Sequence, residues 1–119
     1  KFGLAACDRT YGFSDRQWNY PIGWPPLHWV VYRGLKNYGC QGDANRIALK
    51  WLNLNLEVWT RTGKLYEKYD VQKGSNEVLT DRYKNQEGFG WTNAVFHCLV
   101  DDIHRSHRVD SQTPGTGGV

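Results

Sequence analysis

The apolar residues Ala44, Ile47, Ala48, Trp51, Leu52, Val58 and Trp59 recur at three- and four-residue spacings, the period of one face of an α-helix. A helix of that length does not persist alone in water, so it must lay this face on other elements of the chain. Asp43 is predicted to cap it, because a carboxylate there can accept from the unpaired N–H groups of the first turn. Gly63 is predicted to end it, supplying a left-handed exit. At 1.5 Å per residue the helix is roughly 28 Å long.

Two further helices are available to cover it. Pro25 and Pro26 suit a first helical turn, where the missing N–H would have had no partner, and Leu27, Val30, Val31, Gly34 and Leu35 follow at helical spacing. That helix is predicted to stop between Asn37 and Gly42. A third is expected from about Thr92, read as its cap, through Ala94, Val95, Phe96, Cys98, Leu99, Val100 and Ile103. Residues 1–22 mix Gly, Ser, Asp and aromatics without period and read as loop. Residues 105–119, closing on Gly115-Thr116-Gly117-Gly118-Val119, read as a disordered tail. Between Lys64 and Trp91 lies a polar, glycine-punctuated stretch too long for an idle connection, and long loops of that kind carry function or stay disordered. The fold class is therefore all-α, about three helices plus long loops, and 119 residues hold no more than one small compact unit.

Composition narrows the function. Six Trp, seven Tyr and four Phe suit a carbohydrate pocket, whose ligand has apolar C–H faces, and suit a packed core equally well. The net charge of +3 comes from Lys and Arg scattered among Asp and Glu, without the basic stripe of a nucleic-acid module. Cys7, Cys40 and Cys98 have no short-range pairing, and an odd count leaves one unpaired within the chain. His28, His97, His104 and His107 have no paired carboxylate or thiol at ligand spacing, so they read as surface histidines and neither metal nor cofactor is implied. No stretch approaches the ~18–20 apolar residues of a membrane span, and the Lys1 end lacks the apolar run of a signal peptide. With no methionine anywhere, the chain is expected to be a processed or incomplete piece of a longer protein.

Three motifs stand in order at helix edges and in loops: Gln17-Trp18-Asn19-Tyr20-Pro21-Ile22-Gly23-Trp24-Pro25-Pro26, Glu67-Lys68-Tyr69-Asp70-Val71, and Gln86-Glu87-Gly88-Phe89-Gly90-Trp91-Thr92-Asn93. The first resembles the trehalase motif Gln-Trp-Asp-x-Pro-x-Gly-Trp-x-Pro at every fixed position except Asn19. The others resemble that family's Glu-Lys-Tyr-Asp and Gly-Phe-Gly-Trp-Thr-Asn, and the likeness runs from about Gln17 to Val100. The resemblance implies the C-terminal part, residues 1–104, of an (α/α)6 barrel that hydrolyses trehalose to two glucoses with inversion. Inversion needs one carboxylic acid to protonate the departing oxygen and one carboxylate, ~6.5–9.5 Å away, to activate water. By resemblance Glu67 is the base. The acid is an aspartate upstream of this chain, so the partners implied are trehalose, glucose and the remainder of the trehalase polypeptide. Gln17, Trp18, Asn19, Trp24 and Trp91 are the expected substrate-binding residues.

Two departures support a second reading, a catalytically silent sugar-binding relative. Asn19 stands where the family has Asp, replacing an acceptor-only carboxylate by an amide that also donates. The family's glycine-rich lid, ending in Glu-Tyr, is reduced to Gly74, and Arg82-Tyr83 then puts a positive charge where the lid glutamate would be. Glu77 and Asp81 are the carboxylates near enough in sequence to replace it.

Overall fold

The computed structural model describes residues 1–11, 16–78 and 83–110. Three helices carry it: α1 (Pro25–Asn37), α2 (Gln41–Thr62) and α3 (Gly90–Asp110). A 3-10 turn at Arg9–Tyr11 precedes them, and two short strands, β1 (Ile22–Gly23) and β2 (Tyr69–Asp70), pair antiparallel with Ile22 opposite Asp70 and Gly23 opposite Tyr69. The all-α reading holds for the bulk of the chain and misses this ribbon. Two residues per strand are too few to print an alternating pattern in a sequence.

The helix ends follow local chemistry, with corrections. Trp24 is extended, at φ −123° and ψ 139°, and the two prolines then open α1 as expected. Gly63, at φ 70°, donates its N–H to the Trp59 carbonyl at 2.7 Å and closes α2. Asp43 does not cap that helix. Cys40 occupies the cap without a side-chain bond, and Asp43 lies inside the first turn, where its carboxylate meets Arg46 at 2.8 Å. A negative charge there still suits the positive end of the helix dipole, and the exposed pair itself adds little. Thr92 is not a cap either: α3 begins at Gly90, and buried Thr92 donates its hydroxyl to the Tyr66 carbonyl at 2.6 Å. The same helix runs on to Asp110, so residues 105–110 of the expected tail are helical. Residues 111–119 lie outside the described residues.

Helix α2 is the spine. Ala44, Ala48, Trp51, Leu54 and Val58 are buried in one cluster with Tyr32 of α1, Val95, Leu99 and Ile103 of α3, and Tyr69 and Val71 of the loop, and Ile47 is buried as well. Each fully buried leucine or valine contributes about 1.5–3 kcal/mol. Leu54 and Asn55 join this face, Asn55 by donating to the Trp51 carbonyl at 2.8 Å. Trp59, expected in the core, is 50% exposed. Helices α1 and α3 are further joined where Lys36 meets Asp102 at 2.8 Å, an ammonium that draws this carboxyl below its ordinary range. On their outer sides α1 and α2 expose Val30, Val31, Leu49 and Leu56.

Candidate active site

The stretch from Lys64 to Trp91 is held by its backbone. Val71 donates to the Pro21 carbonyl at 3.0 Å and accepts from Phe2 at 2.8 Å, so the N-terminal segment, β1 and β2 lie side by side. Asp70 turns the chain back by accepting from the N–H groups of Gln72 and Lys73 at 2.9 and 2.8 Å. On the other flank Tyr66 bridges to Glu87, Glu67 donates its N–H to the Gln86 carbonyl at 2.8 Å, and Gly88 donates to Leu65 at 2.7 Å. Asn85 adds a side-chain clamp, its amide donating to the carbonyls of Lys68 and Asn76 at 2.9 and 2.8 Å. The main chain on either side of Glu67 is thus pinned to neighbouring segments.

That carboxylate is buried, with Glu67 only 5% exposed. Lys68 donates to its Oε2 at 2.6 Å, and the Tyr83 hydroxyl donates to its Oε1 at 2.9 Å. Burial and this bond to Glu67 push the Tyr83 hydroxyl up to about 12, so it stays a donor at neutral pH. Lys68 is fully buried. Its ammonium lies 4.3 Å from the Tyr83 ring centre and 5.1 Å from that of Trp24, where the ring quadrupoles attract the cation. Lys64, by contrast, pairs with Glu87, and Arg61 is exposed on the end of α2.

The aromatic residues singled out in the sequence converge here. Trp18 stacks on Trp24 at 4.1 Å with planes 10° apart, and Trp91 meets Trp24 edge-on at 5.6 Å. Trp24 is 1% exposed and Trp18 46%, so Trp18 offers a free face while Trp24 backs the stack. The Trp24 indole donates to the Gln17 carbonyl at 3.0 Å. Gln17 Oε1 and Trp91 Nε1 are buried without a hydrogen-bond partner. Asn19 enters through its backbone, donating to the Arg16 carbonyl at 3.0 Å and accepting from Ile22 at 2.9 Å, which shapes the turn that delivers Trp18 to the stack. Gly23 is required where it stands: a Cβ there would lie 2.7 Å from the Leu4 carbonyl oxygen and 2.4 Å from Val71.

His28 is not a surface histidine. It is fully buried, stacked on Trp51 at 3.8 Å, and its Nε2 accepts the Leu4 N–H at 2.8 Å. The ring proton therefore sits on Nδ1, which donates to the Trp24 carbonyl at 2.7 Å. Burial lowers the histidine to about 4. Because the folded value lies below the ordinary 6.5, the unfolded chain takes the proton first. The stability this imidazole supports is complete above pH 6.5 and is lost as pH falls toward 4, by about 3 kcal/mol in all. The expected outcome is that hydrogen-exchange protection of the Leu4 amide, in the full-length polypeptide, falls across that window. A Leu4 amide equally protected at pH 7 and pH 4 would contradict the assignment.

Lys68 adjoins Glu67 in sequence, and only the fold brings its ammonium into contact with the carboxylate. Tyr83 and Asn85 were missed as site supports, because each acts across a loop closure that no local pattern records. The lid positions Asp81 and Arg82 lie outside the described residues. Glu77 is exposed and donates its N–H to Ser75 Oγ at 3.0 Å. Among the described residues no helix is long and apolar enough to cross a membrane.

Comparison with known proteins gives the family of the chain. The family model described as Trehalase matches residues 3–104. A "Probable trehalase" of Eremothecium gossypii is 38% identical over 88% of this chain and 19% of its own length. A "Periplasmic trehalase" of Pseudomonas aeruginosa is 41% identical over 78% of this chain and 16% of its own. The "Periplasmic trehalase" of Salmonella paratyphi B is 37% identical over 87% and 18%. The chain thus spans less than a fifth of the length of these relatives. With its three helices, the loop that holds Glu67 and the tryptophan stack beside it, the chain belongs to the trehalase family.

Proposed function

We propose that this segment, through residue 104, supplies the general base and part of the sugar-facing wall of an inverting α,α-trehalase, with the general acid on residues outside this chain. The observation that carries the reading is the buried Glu67 carboxylate, oriented through both oxygens beside a tryptophan stack with one free face. In the reaction a water oxygen bonds to the anomeric carbon as the glycosidic C–O bond breaks. Glu67 takes the water's proton, and the departing glucose oxygen takes a proton from the distant acid. Trp18 covers an apolar sugar face, with Trp24 behind it and Trp91 closing the edge. Gln17 and Asn19 supply polar contacts. The exposed Val30, Val31, Leu49 and Leu56 are the surface that the remainder of the polypeptide covers.

The full-length polypeptide is expected to hydrolyse trehalose and to release, before mutarotation, equal amounts of α- and β-glucose, read by proton NMR. Two α-glucoses would mean retention and would exclude this role for Glu67. Asn19 keeps the second reading in view, since the amide carries no charge where the family has a carboxylate. Trehalose bound without release of glucose is the outcome that reading requires.

A further inference from the structure

We propose that Lys68 is a positioning residue for the base: packed against the Trp24 and Tyr83 rings, its ammonium supplies the counter-charge to the Glu67 carboxylate and, with the Tyr83 hydroxyl, sets the plane of that carboxylate. The inference rests on Glu67 being the base and assigns supporting roles to two side chains that do not themselves take the proton.

A carboxylate taken out of water is pushed toward its neutral form, which cannot accept a proton from water. Glu67 is 5% exposed, so its carboxylate depends on the partners it meets inside the protein. Among the described residues the groups facing it are the Lys68 ammonium at 2.6 Å, on the same loop, and the Tyr83 hydroxyl at 2.9 Å, across the loop closure. Both stabilise the charged form, one as an opposite charge and one as a donor. Lys68 is itself fully buried, and its cost of burial is offset by Glu67 and by the ring faces of Trp24 and Tyr83 at 5.1 and 4.3 Å. Trp24 thereby links the sugar wall to the state of the base, through the cation it shelters. Each Glu67 oxygen uses one lone pair on these donors, and a carboxylate offers about four acceptor positions in total. The lone pairs that remain are the ones a nucleophilic water can occupy.

The test is the pH dependence of kcat/KM for trehalose in the full-length polypeptide, whose acid limb reports the base in the free enzyme. In Lys68→Met that limb is expected to move up by about one to three pH units, with activity recovered toward alkaline pH. A residue that only supports packing would lower activity equally at every pH. Lys68→Arg keeps the charge and should bring the limb back toward its original position. Tyr83→Phe keeps the ring over Lys68 and removes only the donor to Oε1; its limb should move in the same direction by a smaller amount. This second variant decides the matter if Lys68→Met does not fold. An acid limb unmoved in Tyr83→Phe, and in Lys68→Met where it folds, overturns the positioning role while leaving Glu67 as base. Absence of glucose release by the unsubstituted protein would instead overturn the trehalase reading, and the inference with it.

Discussion

Glu67→Gln in the full-length polypeptide is expected to lower trehalose turnover about 10²- to 10⁴-fold, the usual loss when a general acid or base is removed. Glutamine keeps the length and one of the two oxygens, enough to accept from Lys68 while its NH2 faces the Tyr83 hydroxyl, and it loses the ability to take a proton. Trehalose affinity should therefore survive, and calorimetric titration of the variant with trehalose should show binding while glucose release has nearly stopped. The substitution also leaves Lys68 buried without its counter-charge. Breaking one side of a buried ion pair costs about 3–5 kcal/mol, so turnover is to be expressed per molecule able to bind. Undiminished turnover would remove Glu67 from the mechanism, whatever the structure of its surroundings. The double variant Glu67→Gln, Lys68→Met removes both charges and should regain much of the lost stability while staying inactive, since it no longer strands a cation in the interior.

Helix periodicity, proline at a first turn and glycine at an exit are local properties, and they located all three helices and the Gly63 stop correctly. The three motifs drew attention to Glu67 and to the tryptophans, and the fold brings Trp18, Trp24 and Trp91 into mutual contact. What the sequence hid was closure over distance. The β1–β2 pair, the Thr92 bond to Tyr66 and the Asn85 clamp each join residues far apart in the chain, and none leaves a periodic trace. Asp43 shows the opposite error: a residue with good cap chemistry sits inside the first turn because Cys40 already ends the preceding bend, where it donates its N–H to the Leu35 carbonyl at 2.8 Å. His28 was misplaced because one histidine on a helix gives no sign of which face is covered. Its burial depends on Trp51 and on Leu4 arriving from two other segments. Lys68 was legible as a neighbour of Glu67 in sequence, but adjacent side chains on an extended loop often diverge, and only the aromatic box shows why these two converge.

That box makes Trp24→Ala the most damaging single change expected for the fold. Trp24 is 1% exposed and meets Trp18, Trp91 and the Lys68 ammonium at 4.1, 5.6 and 5.1 Å, so removing the indole opens a void with a cation on its wall. Truncating a buried tryptophan costs about 3–5 kcal/mol. Trp24→Phe restores an aromatic face and should recover most of this, retaining a loss of about 1–3 kcal/mol for the Gln17 carbonyl left without the indole N–H. Trp18→Ala separates packing from recognition. Trp18 is 46% exposed, and its loss should change stability by under about 1 kcal/mol while raising KM for trehalose, because it removes the face offered to the sugar. Denaturant midpoints of the three variants in the full-length polypeptide, set beside their KM values, check this division. A Trp18→Ala variant as unstable as Trp24→Ala, with an unchanged KM, would show that both rings belong to the core and that the sugar wall lies elsewhere.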